Sequence, residues 1–161
     1  MKGNDGTGNI IERDDWHTPQ WLFDMLNAQY NFEFDCCADK DNKKCRLWHD
    51  NFVMVGNEEA GLEEECCWMN PPFSKAETMF RHFFDTVGNG VCIYRCDNLE
   101  TALWQNIILK NATWVFFPKG RISYEGKAGK GSRFPSALIG FNVPEPNGLD
   151  GTTLFHGGKS C

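Results

Sequence analysis

Nowhere does this 161-residue chain hold the roughly 20 consecutive apolar residues that a membrane-crossing helix requires. The opening stretch, Met1 to Asp15, is polar and rich in Gly and Asp, so no signal peptide is expected and the reading is a cytoplasmic protein. Metal-site spacing is missing too. Of eight cysteines, Cys36-Cys37 and Cys66-Cys67 are adjacent, Cys92 and Cys96 lie four apart, and Cys45 and Cys161 stand alone. None forms a Cys-x-x-Cys pair, and His82 and His156 complete no ligand set. We therefore expect no metal, and free thiols packed as small apolar groups in a reducing compartment. Adjacent cysteines on a strand would face opposite ways. Surplus positive charge is lacking as well, since the net charge of −6 argues against a broadly basic surface. No internal repeat is visible.

What remains is an ordinary globular composition, 41% hydrophobic and 24% charged, sufficient for one domain over residues 1–161. Residues 1–14 read as a flexible arm and 144–161, dominated by Gly and Pro, as a flexible tail. Between Lys119 and Arg133 the charge balance inverts. Lys119, Arg121, Lys127, Lys130 and Arg133 face only Glu125, and Gly120, Gly126, Gly129 and Gly131 loosen the backbone. A basic, Gly-rich loop over 120–133 on an acidic body can follow a phosphate backbone. A solvated surface loop is the plainer reading of the same residues.

Periodicity supplies the elements. Thr18 as N-cap and Pro19 as first helical residue open a helix to Asn27. Phe32 to Ala38 suggests a strand, and Cys66 to Met69 another. Met79, Phe80, Phe83, Phe84 and Val87 align one face of a helix over Ala76 to Val87. Val91 to Tyr94, Trp114 to Phe117 and Ser136 to Val143 read as strands, with a second amphipathic helix over Asn98 to Leu109 presenting Leu99, Ala102, Leu103 and Ile107. Alternating strands and helices imply an α/β protein with a mostly parallel sheet. The last strand arrives without a helix and is expected antiparallel to Trp114–Phe117. Asp35 and Asn70 both fall at strand ends, where open α/β sheets bind ligands.

Asn70-Pro71-Pro72-Phe73 carries the most chemistry. The Asn70 side-chain carbonyl and the Pro71 backbone carbonyl can each accept one hydrogen of an exocyclic amine. The two prolines fix the turn and remove competing N–H donors. Phe73 offers a face for a flipped-out base. Amino-methyl transfer to a DNA base fits this set, with Asn70, Pro71, Pro72 and Phe73 as catalytic candidates. A rigid turn after a strand is the plain alternative. The same grip suits cytosine N4 or a glutamine amide, and a silent module that binds cofactor or DNA without turnover belongs to another class.

The ordered set resembles the phage and prophage Dam-like DNA N6-adenine methyltransferases, which use S-adenosyl-L-methionine. Asp15-Trp16-His17-Thr18-Pro19 resembles the family's Trp-x-Thr-Pro opening. Phe34-Asp35-Cys36-Cys37-Ala38, with Asn42 and Cys45, resembles its cofactor strand, and Asn70 to Lys75 its catalytic loop. Arg95-Cys96-Asp97-Asn98 with Trp104, Gly120-Arg121-Ile122 and Phe134-Pro135-Ser136-Ala137 resemble its C-terminal half. The resemblance covers about residues 14–143.

It implies a minimal Rossmann-like S-adenosylmethionine-dependent methyltransferase fold, a mostly parallel twisted sheet with an antiparallel C-terminal hairpin. It further implies that Trp16, Thr18, Pro19, Asp35, Cys36, Ala38 and Asn70 hold the cofactor. Lys75, Arg95, Lys119, Arg121, Lys127, Lys130 and Arg133 are the candidate contacts to DNA, whose target adenine would be flipped out. The usual Gly-x-Gly after the first strand is absent, so the cofactor loop must be built another way. The ribose acid is left between Asp39 and Asp41, and the adenine partner among Glu58, Glu59 and Glu63.

Overall fold

The computed structural model describes residues 16–50, 65–125 and 134–155. In chain order these residues form α1 (Gln20–Tyr30), β1 (Phe34–Asp35), β2 (Leu47–Trp48), β3 (Cys66–Met69), a 3₁₀ turn (Phe73–Lys75) and α2 (Ala76–Thr86). They continue with β4 (Asn89–Arg95), a π-helical segment (Leu103–Ile108) running into α3 (Leu109–Asn111), β5 (Trp114–Pro118), β6 (Ser136–Phe141) and β7 (Gly151–Phe155). Among the described residues no helix is long and apolar enough to cross a membrane.

The strands make one seven-stranded mixed sheet in the order β2-β1-β3-β4-β6-β5-β7. β2, β1, β3 and β4 run parallel, while β6 pairs antiparallel with both β4 and β5. The expected antiparallel pairing with Trp114–Phe117 is therefore present, with β6 also wedged against β4. The residues anticipated as a ragged tail include a further strand, β7, antiparallel to β5 from Pro118↔Gly151 onward.

Strand periodicity explains the layers. In β3, Cys67 and Met69 enter one core while Cys66 and Trp68 turn to the other. β4 repeats the pattern, with Cys92 and Tyr94 on the first side and Val91 and Ile93 on the second. Both faces are covered, so these strands read as continuous apolar runs. On the first face α2 buries Met79, Phe80 and Phe83, as its spacing predicted. On the second, α1 buries Leu22, Phe23 and Leu26.

Several expectations need correction. Thr18 does not cap α1: the N-cap is Pro19, with no side-chain cap bond, and the helix runs on to Tyr30. It closes at Asn31, whose left-handed φ of 52° lets its N–H reach the Asn27 carbonyl at 2.9 Å. The first strand shrinks to Phe34–Asp35, so Cys36 and Cys37 escape alternation and both pack toward the α2 side. Leu99, expected inward, is exposed. Ala102, also expected inward, is exposed, while Ile107 is buried as expected; the π segment turns Trp104 and Ile108 inward as well, and Trp104 Nε1 donates to the Arg95 carbonyl at 3.1 Å. The described cysteines are free, and burial pushes the thiols of Cys36, Cys37, Cys45, Cys66, Cys92 and Cys96 up, Cys66 to about 12 and Cys96 to about 11.

Candidate active site

The carboxyl ends of β1, β2 and β3 border a cavity of about 240 Å³. That is a little under the roughly 300–1,000 Å³ common for small-molecule pockets. Residues 51–64, and with them the adenine-partner candidates Glu58, Glu59 and Glu63, lie outside the described residues. Of the sequence-predicted site residues, Trp16, Thr18, Asp35, Ala38, Asn70, Pro72 and Lys75 line it.

Asn70 is the first residue after β3 and is half-buried. Its side-chain NH2 donates to the Trp16 carbonyl at 2.7 Å and to Thr18 Oγ1 at 3.1 Å. Because the amide is planar, committing the nitrogen to that segment directs Oδ1 to the opposite side. The segment is itself tied down. His17 and Glu125 exchange backbone bonds of 2.7 and 3.0 Å, and the Trp16 indole packs edge-on against Tyr124 and Phe134.

Asp35 shapes the opposite wall. One carboxylate oxygen accepts from the Lys44 backbone N–H at 2.9 Å, the other from that of Cys37 at 3.3 Å. Asp39 adds a local turn, accepting from the N–H groups of Asp41 and Asn42, while Asn42 Oδ1 accepts from the Asp39 N–H at 2.7 Å. Carboxylates thus bend residues 36–44 around the strand end, the work a Gly-x-Gly turn would otherwise do. Burial raises the Asp35 carboxyl from 3.8 to about 6, against the lowering influence of those N–H groups and of Lys44.

Other predicted residues fall elsewhere. Pro19 is buried outside the cavity wall, and the Cys36 side chain is fully buried in the core beside Cys67. Phe73 does not present its ring to the cavity. It stands edge-on to Tyr94 and Phe134, with the Arg95 guanidinium 5.1 Å above it. Arg95, expected at a phosphate, is held by Asp97 through bonds of 2.7 and 2.5 Å and also lies over Phe134. That pairing holds the Asp97 carboxyl below its usual range and raises the Arg95 guanidinium further. Lys119 and Arg121 are exposed, whereas Lys127, Lys130 and Arg133 lie outside the described residues. The start of the supposed loop is anchored: Ile122 and Tyr124 are buried, and the Tyr124 hydroxyl pairs with Ser136 at 2.7 Å.

The sequence reading missed His17, Lys44 and Asp50 on the cavity wall. Asp50 follows β2 closely, an acid at a strand end like Asp35. Its signal was hidden because β2, though no shorter than β1, has no apolar run directly around it to mark a strand. Of the ribose candidates, Asp39 lines the cavity and Asp41 does not.

Comparison with known proteins converges on one description. The model of a family described as DNA N-6-adenine-methyltransferase (Dam) matches residues 7–137. A DNA N-6-adenine-methyltransferase of Haemophilus phage HP1 (strain HP1c1) is 26% identical over 148 residues, covering 85% of this chain and 83% of the relative.

Proposed function

This chain belongs to the DNA N-6-adenine-methyltransferase (Dam) family, and on that premise we propose that it methylates the N6 amine of adenine in DNA through Asn70 and Pro71. The observation that carries the assignment to Asn70 is its amide, with the nitrogen bound to Trp16 and Thr18 at the edge of a cavity; Pro71, buried and not on the cavity wall, is assigned through its place next to Asn70 in the chain. The amide oxygen of Asn70 is left available to a substrate.

The cofactor of this reading is S-adenosyl-L-methionine, which when bound supplies a methyl group on a cationic sulfur. The residues present fit such a group. A polar, partly acidic cavity lies at the carboxyl ends of parallel strands, as ligand sites of open α/β sheets do. Asp35 offers a buried carboxylate to a cationic group, and Asp39 and Asp50 offer acceptors to ribose hydroxyls. Trp16, Thr18 and Ala38 complete the wall. The parallel β2-β1-β3-β4 run with antiparallel β6 between β4 and β5 supports a Rossmann-like methyltransferase fold.

The N6 lone pair of adenine is delocalised into the ring and nucleophilically weak. Hydrogen bonds from its two N–H groups to Asn70 Oδ1 and the Pro71 carbonyl draw nitrogen toward tetrahedral geometry and localise that pair. The neutral amide oxygen is too weak a base to keep the surplus proton, which passes to solvent. Alignment and preorganised acceptors therefore supply most of the rate, on the order of 7–11 kcal/mol for good positioning. Inside a duplex the amine is out of reach, so the base must be extruded, at a few kcal/mol. Pro71 and Pro72 stiffen the loop, and Phe73, wedged among Tyr94, Phe134 and Arg95, anchors it. Of the candidate DNA contacts among the described residues, Lys75 on the rim and the exposed Lys119 and Arg121 are the ones this reading assigns to phosphates.

The test is transfer of labelled methyl from S-adenosyl-L-methionine to DNA, followed by nucleoside analysis. Labelled N6-methyladenine is the expected product. N4-methylcytosine would move the substrate, and binding without transfer would overturn the reading.

A pH dependence follows from Asp35. A cationic ligand favours the ionised carboxylate, so below about pH 6 binding must first displace a proton. We expect cofactor affinity to fall by up to about ten-fold per pH unit below that point and to level off above it. Titration calorimetry between pH 5 and 8 checks this; an unchanged affinity would remove Asp35 from the cationic end.

A further inference from the structure

Both donor positions of the Asn70 amide are committed to one short segment, and this has a consequence for catalysis. An amide can rotate half a turn and exchange its oxygen for its nitrogen. Rotated that way, Asn70 would set Oδ1 against the Trp16 carbonyl, now 2.7 Å from the nitrogen, and turn an NH2 donor toward the cavity. A donor there repels an amine it is meant to hold. The catalytic orientation therefore depends on what the nitrogen meets, and it meets two acceptors, the Trp16 carbonyl and Thr18 Oγ1. Thr18 is 2% exposed, and its neighbour His17 is fixed by the bridge to Glu125, so the acceptor pair is held from behind.

We infer that Thr18 is a positioning residue for methyl transfer: with the Trp16 carbonyl it locks the Asn70 amide with its oxygen toward the substrate amine. This rests on the reading of Asn70 as the amine acceptor. It also accounts for an amide, not a carboxylate, at position 70. A carboxylate oxygen in place of the nitrogen would confront the Trp16 carbonyl with no hydrogen between them.

The decisive variant is Thr18→Val, which keeps shape and removes the acceptor. One lost hydrogen bond of ordinary strength loosens the orientation by several-fold, so kcat should fall by a few-fold, and by no more than about ten-fold, while the dissociation constant of S-adenosyl-L-methionine holds within two-fold. Thr18→Ser, which restores the oxygen, should recover most of the rate. A rise in that dissociation constant with kcat unchanged would make Thr18 a plain cofactor contact and overturn the inference. So would a Thr18→Val enzyme of normal rate.

A second readout does not need activity. In ¹⁵N–¹H spectra of the wild-type protein, the Asn70 side-chain NH2 should give separated signals that exchange slowly with solvent, and Thr18→Val should speed that exchange at least several-fold. Free exchange in the wild type, or no change in the variant, would refute the clasp. If Thr18→Val does not fold, the wild-type spectrum decides alone. If the wild type transfers no methyl group, the family-based reading fails, while the spectrum still reports separately on the clasp.

Discussion

Replacing Asn70 with Ala should lower kcat by at least about 10²–10³-fold, the size of effect seen when one preorganised polar group is removed from a reacting centre. The reasoning separates binding from chemistry. Asn70 is one of many residues around the cavity, so cofactor affinity should change by no more than a few-fold. The amine, by contrast, would lose one of its two acceptors and with it the pull that localises the lone pair. Cα trace and core should survive, because the lost side-chain bonds run to the Trp16 carbonyl and Thr18 alone. That segment keeps its bridge to Glu125 and its packing on Tyr124 and Phe134. Single-turnover rates with cofactor affinity measured alongside are the check. Near-normal turnover in Asn70→Ala would mean that the methyl acceptor is held elsewhere.

What the sequence disclosed and what it hid divide along physical lines. Long, strongly patterned elements were legible: α2 through its apolar spacing, and β3 through its apolar run ending in Asn70-Pro71-Pro72. Strand-end logic also placed Asp35 and Asn70 on one cavity before any coordinates. β2 is as short as β1 but lacks the apolar residues that flank β1 from Phe32 to Ala38, so it escaped notice and with it the position of Asp50. Thr18 before a proline satisfied every local criterion for a cap, but its hydroxyl serves a residue more than fifty positions away. Such a bond has no local signature. The second helix misled the wheel too: helical winding begins only at Ala102, so Leu99 falls in the turn before it and is exposed, and the π segment from Leu103 turns Trp104 inward. Arg95 looked like a phosphate ligand as one positive charge in a motif. Only proximity shows that Asp97 neutralises it and that it lies against the rings of both Phe73 and Phe134.

Gly140→Ala should be a severely damaging small change in the fold. Gly140 sits in β6 between its partners Val91 of β4 and Trp114 of β5. A Cβ at this position would come within 2.0–2.4 Å of three indole atoms of Trp114. Trp114 cannot give way, since it is 1% exposed and its Nε1 is committed to the Val143 carbonyl at 2.7 Å. Overpacking a core commonly costs about 1–3 kcal/mol, and a clash with a trapped ring at the middle of a sheet belongs at or beyond the upper end. Against a net stability of roughly 5–15 kcal/mol for a domain, that fraction is large. Gly120→Ala serves as the contrast. Gly120 has φ +79° but open space around it, so only the backbone strain of the left-handed region applies, about 1–2 kcal/mol. Urea unfolding of the two variants measures the difference, and equal losses would mean that Trp114 can move aside. Activity adds the link to the site. Gly140→Ala should lose methyl transfer and cofactor binding together as the population unfolds, whereas Asn70→Ala loses transfer with the fold and the cavity intact. The pair of variants thus separates a sheet that merely supports the site from the one amide that does its chemistry.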